Sequence, residues 1–155
     1  MQHYWTIDGY GLAVDPVSYT PNGVIALAAM VPDIKAYLDE GIKECQKGKP
    51  HAVTEEEINE FMDDYETKSG IHGLAAVLAD VMNELEPVVK VTPCENYDNE
   101  QFVLYEPNFP WHMSEKEKTL SCEELDSIFK KYLDILTEGH GDAYPCSVIS
   151  VENNT

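Results

Sequence analysis

Seven carboxylates fall within the thirteen residues TEEEINEFMDDYE at 54–66: Glu55, Glu56, Glu57, Glu60, Asp63, Asp64 and Glu66, with no base among them. Acids this dense could do three kinds of chemistry. Acid–base catalysis of the glycosidase type needs two carboxyl groups facing one cleft at a set separation, and a local run does not supply that. Metal binding needs ordered ligand spacing. The five histidines (His3, His51, His72, His112, His140) are scattered, with no HExxH and no His/Cys pattern of the zinc kind. The nearest local cluster is His140-Gly141-Asp142 with Cys146, and Asp98-Asn99-Glu100 lacks the twelve-residue calcium-loop pattern and its glycine. The third chemistry is recognition of a basic surface. Carboxylates three or four residues apart on a helix stand about 5–6 Å apart at Cβ. Phosphates rise about 3.4 Å per nucleotide along the axis and are spaced wider along the backbone. A helical row of acids can therefore approximate a phosphate row.

A helix must position that row, and the sequence predicts one. Thr54 and Glu57 form a capping box, and three glutamates in the first turn suit the positive end of the dipole. Ile58, Phe61, Met62 and Tyr65 recur at i, i+3, i+4 and i+7, so one face is apolar. Glu56, Glu60, Asp63 and Asp64 are left largely on the other side.

Elsewhere no nucleophile signature occurs: there is no GxSxG and no Cys placed beside a His. Gly9-x-Gly11 is no phosphate loop, because Leu12-Ala13-Val14 continues as strand rather than opening a helix. Residues 3–15 read as strand, with Asp8-Gly9 as a candidate tight turn or bulge. Residues 22–31 read as a short helix stopped by Pro32, and Asp33 as the N-cap of the next, which Gly41 weakens and Gly48-Lys49-Pro50 ends. Residues 72–86 carry the widest apolar stripe and should be the central buried helix. A hairpin is expected over 88–106, then a proline-rich aromatic segment at 107–113. A capped helix runs from Ser121 to about Thr137, and a last strand spans 143–152. Helices cluster and strands are hairpin-linked. The expected fold is therefore α+β: a small antiparallel sheet with four to five helices mainly on one face, as a single domain over 1–155.

The chain carries 29 acids against ten bases, a net charge of −19, and every base is lysine. Arginine is the usual bidentate clamp for phosphate, so direct nucleic-acid binding is not expected. A basic partner is, since long-range attraction speeds such encounters. Solubility, or adaptation to salt, would equally well account for the charge. No basic region followed by an apolar run opens the sequence, and the longest apolar run, Val24 to Val31, is too short for a membrane span. A cytoplasmic setting without membrane or cofactor is expected. The four cysteines should be thiols; Cys94 and Cys146 both fall in predicted strands.

The run QFVLYEPNFPWHMSEKEKTLSCEELDSIFKKYLDILTE, the SVENN near the end and the opening YWTIDGYGLAVD resemble small uncharacterised proteins of bacterial phages and plasmids. That family has no assigned enzymatic site, so no catalytic residue carries over. The resemblance implies a setting, that of acidic mobile-element inhibitors of host defence or DNA-handling enzymes, including anti-CRISPR proteins that imitate nucleic acid. The expected function is non-enzymatic binding that blocks a basic, nucleic-acid-binding surface on a host protein, such as a CRISPR effector or nuclease. The expected contact residues are Glu56, Glu57, Glu60, Asp63 and Asp64, with Trp111 from the aromatic segment as an anchor. The alternatives are a small hydrolase with a non-local carboxylate/His site, and an acidic adaptor in a larger assembly.

Overall fold

A computed structural model describes residues 5–45, 47, 52–66, 70–86, 89–105, 120–139 and 146–153. In chain order the elements are β1 (Trp5–Ala13), α1 (Pro21–Ala28), α2 (Pro32–Cys45), α3 (Glu55–Asp64), α4 (Leu74–Leu85), β2 (Val91–Glu95), β3 (Gln101–Tyr105), α5 (Cys122–Leu136) and β4 (Ser147–Asn153). The fold is α+β, with an antiparallel sheet in the order β2-β3-β1-β4. None of the described helices is long and apolar enough to cross a membrane.

Helix α4 is the hub. Leu74 through Ala79, Val81 and Met82 are all buried, as expected of a helix with a wide apolar stripe and an apolar first turn and a half. Its first turn has no side-chain cap of its own. Gln101 of β3 does the work instead: its Oε1 accepts from Ala75 N at 3.5 Å, and its Nε2 donates to the His72 carbonyl at 2.6 Å. At the far end Asn83 clamps edge strand β2, donating to the Val91 carbonyl at 2.9 Å and accepting from Val91 N at 2.7 Å. Around α4 the main core gathers side chains from all five helices and from Leu12, Val91, Val103 and Tyr105 on one face of the sheet.

The opposite face is closed by the sheet itself. Cys94, Leu104 and Val151 form a second small cluster, with Phe102 and Ile149 against it. These come from β2, β3 and β4, so the edge strands β2 and β4 approach one another across β3 and β1. Gly9 and Gly11 make this possible. β1 passes from pairing with β4 alone to pairing with β3 as well at Tyr10–Gly11. A Cβ on Gly11 would lie 2.0 Å from the Val103 carbonyl oxygen, and one on Gly9 2.8 Å from that of Tyr105. The expected turn or bulge at Asp8-Gly9 is therefore corrected: Asp8 pairs with Ser150 in an unbroken register, and the glycines serve close approach.

Other expectations shift in detail. α1 ends at Ala28, and Pro32 opens α2 rather than merely stopping α1. Its missing N–H costs nothing at a first helical position, so Asp33 sits in the first turn and is not the cap. The hairpin turn is built by Asn96, whose side-chain oxygen accepts from Asp98 N and Glu100 N at 3.0 and 2.9 Å, with Asn99 at φ 63°. Cys94 and Cys146 do not pair. Cys94 lies in the second cluster, Cys146 lies against the main core, and both are thiols.

Gly11→Ala should lower the unfolding free energy by about 3 kcal/mol, the upper end for forcing atoms into a packed site. Urea titration followed by circular dichroism checks this, and a change under about 0.5 kcal/mol, typical of a neutral surface substitution, would contradict the close-approach account.

Candidate partner-binding surface

The capping box of α3 is complete. Thr54 Oγ1 accepts from Glu57 N at 3.2 Å, and Glu57 Oε1 accepts from Thr54 N at 3.1 Å. Ile58, Phe61 and Met62 are buried, and Tyr65 caps the helix with an extended backbone while remaining buried. The Tyr65 hydroxyl donates to Asp80 Oδ2 of α4 at 2.5 Å. Burial and that bond raise the phenol's pKa, so it stays a donor. Gly73 N donates to the Met62 carbonyl at 2.9 Å, tying the end of α3 to the start of α4.

α2 braces the other side. The Tyr37 ring lies 5.9 Å from Phe61 and 5.6 Å from Tyr65, the latter edge-on at 86°. Its hydroxyl donates to the Asp64 carbonyl at 3.0 Å, which satisfies one of the acceptors left open at a helix end.

The acids of α3 are thus carried on a fixed rod. Glu56, Glu60 and Asp63, at i, i+4 and i+7, follow its exposed crest. Glu57, half-buried by its cap, and exposed Asp64 lean toward α2. The expected single ridge is therefore divided between two hollows. One, of about 330 Å³, lies between α2 and α3 and is lined by Tyr37, Glu40, Gly41, Glu44, Glu57, Glu60, Phe61 and Asp64. Its lining is mainly apolar, and among the described residues its charged groups are five carboxylates. Lys47 stands at one end, 2.9 Å from Glu44. The sequence reading missed Tyr37, Glu40, Gly41 and Glu44. Glu40 and Glu44 are an i, i+4 pair, but nothing local says that α2 lies beside α3.

The second hollow, about 580 Å³, lies on the other flank and includes Asp15, Tyr19, Asn59, Asp63, His72, Glu95 and Gln101. This is the kind of concave His/carboxylate site a hydrolase would need. Much of its polar lining shapes the walls: Asp15 accepts from Gln101 N at 3.1 Å, and Tyr19 donates to Asn59 Oδ1 at 2.8 Å. His72 stands 3.7 Å from Glu66, and the two are bridged through their backbones. Among the described residues no Ser, Thr, Cys or Lys lines the hollow. Among the described residues no group of three His, Cys, Asp or Glu could hold a metal.

Cys146 sits beside Asp126, which also accepts from the Tyr10 hydroxyl at 2.5 Å. Burial first, then the Asp126 charge and hydrogen bond, push the thiol up to about 12, so it is protonated and a poor nucleophile at neutral pH. Trp111 and the aromatic segment around it lie outside the described residues, as does the cluster at His140. Tyr105, the first aromatic before that segment, is buried in β3 and belongs to the core.

No protein-family model, curated protein or solved structure matches this chain.

Asp63 and Asp64 close α3 at the negative end of its dipole, with no base in the last turn. Asp63→Asn should therefore stabilise the protein by about 0.5 kcal/mol at low salt, from relief at the helix end and of repulsion by Glu60. The gain should shrink at about 0.5 M salt as screening grows. Urea midpoints at the two salt concentrations measure it, and a loss of stability would contradict the repulsion.

Proposed function

We propose that this chain is a non-enzymatic acidic binding protein that covers a basic, nucleic-acid-binding surface on another protein. One observation carries the reading. α3 breaks the local rule of helix electrostatics at its last turn, yet it is capped by Thr54, buried along one face and tied to both α2 and α4. Acids that oppose their own dipole add nothing to the helix. A basic partner gives them a role, and conflict between local preference and structure is what functional sites commonly show.

Rigidity matters here. A flexible acidic tail pays an ordering cost on binding, whereas a fixed row of carboxylates does not. Absence of arginine keeps the chain from competing with its partner for carboxylates through bidentate pairs. The resemblance to mobile-element proteins suggests a CRISPR effector or nuclease as the partner.

The hydrolase reading has one observation in its favour, the hollow beside His72. Among the described residues no Ser, Thr, Cys or Lys lines that hollow, and its His72 stands 3.7 Å from Glu66.

Immobilised protein should capture basic, nucleic-acid-binding proteins from a bacterial lysate at about 50 mM salt and release them by about 300 mM, because contacts of this kind weaken steeply with salt. The captured partner should lose its nucleic acid to the wild-type chain. The triple variant Glu60→Lys, Asp63→Lys, Asp64→Lys should neither capture nor displace. Equal capture by the triple variant would overturn the proposal.

A further inference from the structure

We infer that the hollow between α2 and α3 is a seat for an arginine side chain of the basic partner; this rests on the binding function proposed above and locates it. The shape comes first. At about 330 Å³ the hollow lies at the small end of ligand sites, which run from about 300 Å³ upward. That suits one long side chain rather than a folded ligand. Its floor is aromatic: Phe61 is buried, and Tyr37 is 46% exposed with its ring fixed against Phe61 and Tyr65.

Gly41 keeps the floor open. It sits in mid-helix, where glycine costs about 0.5–1 kcal/mol relative to alanine. A Cβ built on it meets no atom within 4 Å, so no packing contact demands glycine. Any side chain there would stand in the hollow.

Charge then selects the occupant. The rim carries Glu40, Glu44, Glu57, Glu60 and Asp64, and among the described residues Lys47 at one end is paired with Glu44. A ligand with an apolar stem and a cationic head satisfies both floor and rim. Arginine fits better than lysine. Its planar guanidinium stacks on aromatic rings, is weakly hydrated, and meets carboxylates in bidentate pairs. The crest residues Glu56 and Asp63 do not line the hollow. They supply attraction at a distance, while the seat supplies contact.

The test is a titration of labelled, end-blocked peptides alternating glycine with arginine, or glycine with lysine, followed by fluorescence anisotropy at about 50 mM salt. Wild-type protein should bind the arginine peptide several-fold more tightly than the lysine peptide. Gly41→Leu, which leaves the charge unchanged, should weaken arginine-peptide binding by about tenfold, the effect of losing one good contact. Its melting curve should show that it remains folded, leucine being the better helix former. The pair Glu60→Gln, Asp64→Asn should weaken binding more than the pair Glu56→Gln, Asp63→Asn, although each removes the same charge. If Gly41→Leu binds like wild type and the two pairs weaken binding equally, the seat is wrong, while the broader charge-based function stands. If neither peptide binds even at low salt, both fail.

Discussion

A chain with a net charge of −19 is held together by what it buries. The balance is clearest in α3. Fully burying Ile58, Phe61 and Met62 contributes about 1.5–3 kcal/mol for each side chain. Repulsion between neighbouring acids costs about 0.2–0.5 kcal/mol per pair. Burial therefore wins by several-fold, and the helix can carry a surface that works against it. The contacts that fix α3 to its neighbours, Tyr37 on one side and Tyr65 to Asp80 on the other, turn that surplus into rigidity.

The acidic surface has internal structure. The crest of α3 faces outward, and its flanks open into two hollows of different character. The α2 side joins an aromatic floor to a rim of carboxylates. The α4 side is polar, and its donors and acceptors largely hold β3 and the start of α4 in place. The first combination is suited to gripping a cationic side chain with an apolar stem. The second is suited to positioning the elements that carry α3. One helix thus faces an aromatic and acidic hollow on one flank and its own support on the other.

What the sequence revealed and what it hid divide along the range of the interactions. The cap of α3, its apolar stripe and the burial of α4 are set by neighbours within a turn or two, and all are legible as spacing. The order of elements was legible too, because period and breaker residues mark it. Gly9 and Gly11 were not. Their reason lies in Val103 and Tyr105, more than ninety positions away in the chain, and locally a glycine needed for close approach looks like one needed for a turn. Gly41 reads as a weakness in α2 until α3 is placed beside it. Glu40 and Glu44 were invisible as site residues for the same reason. Pro32 was ambiguous locally, since the same ring that halts one helix can begin another.

The central claim is that a basic partner is gripped along the α2–α3 face. The most direct measurement is a heteronuclear NMR titration of the isotope-labelled protein with the arginine–glycine peptide, read as amide shift changes along the chain. The shifts should concentrate at Tyr37 to Glu44 and Glu57 to Asp64, and diminish as salt is raised. Shifts spread evenly over every acidic surface, or centred on His72 and Asp15, would contradict the claim.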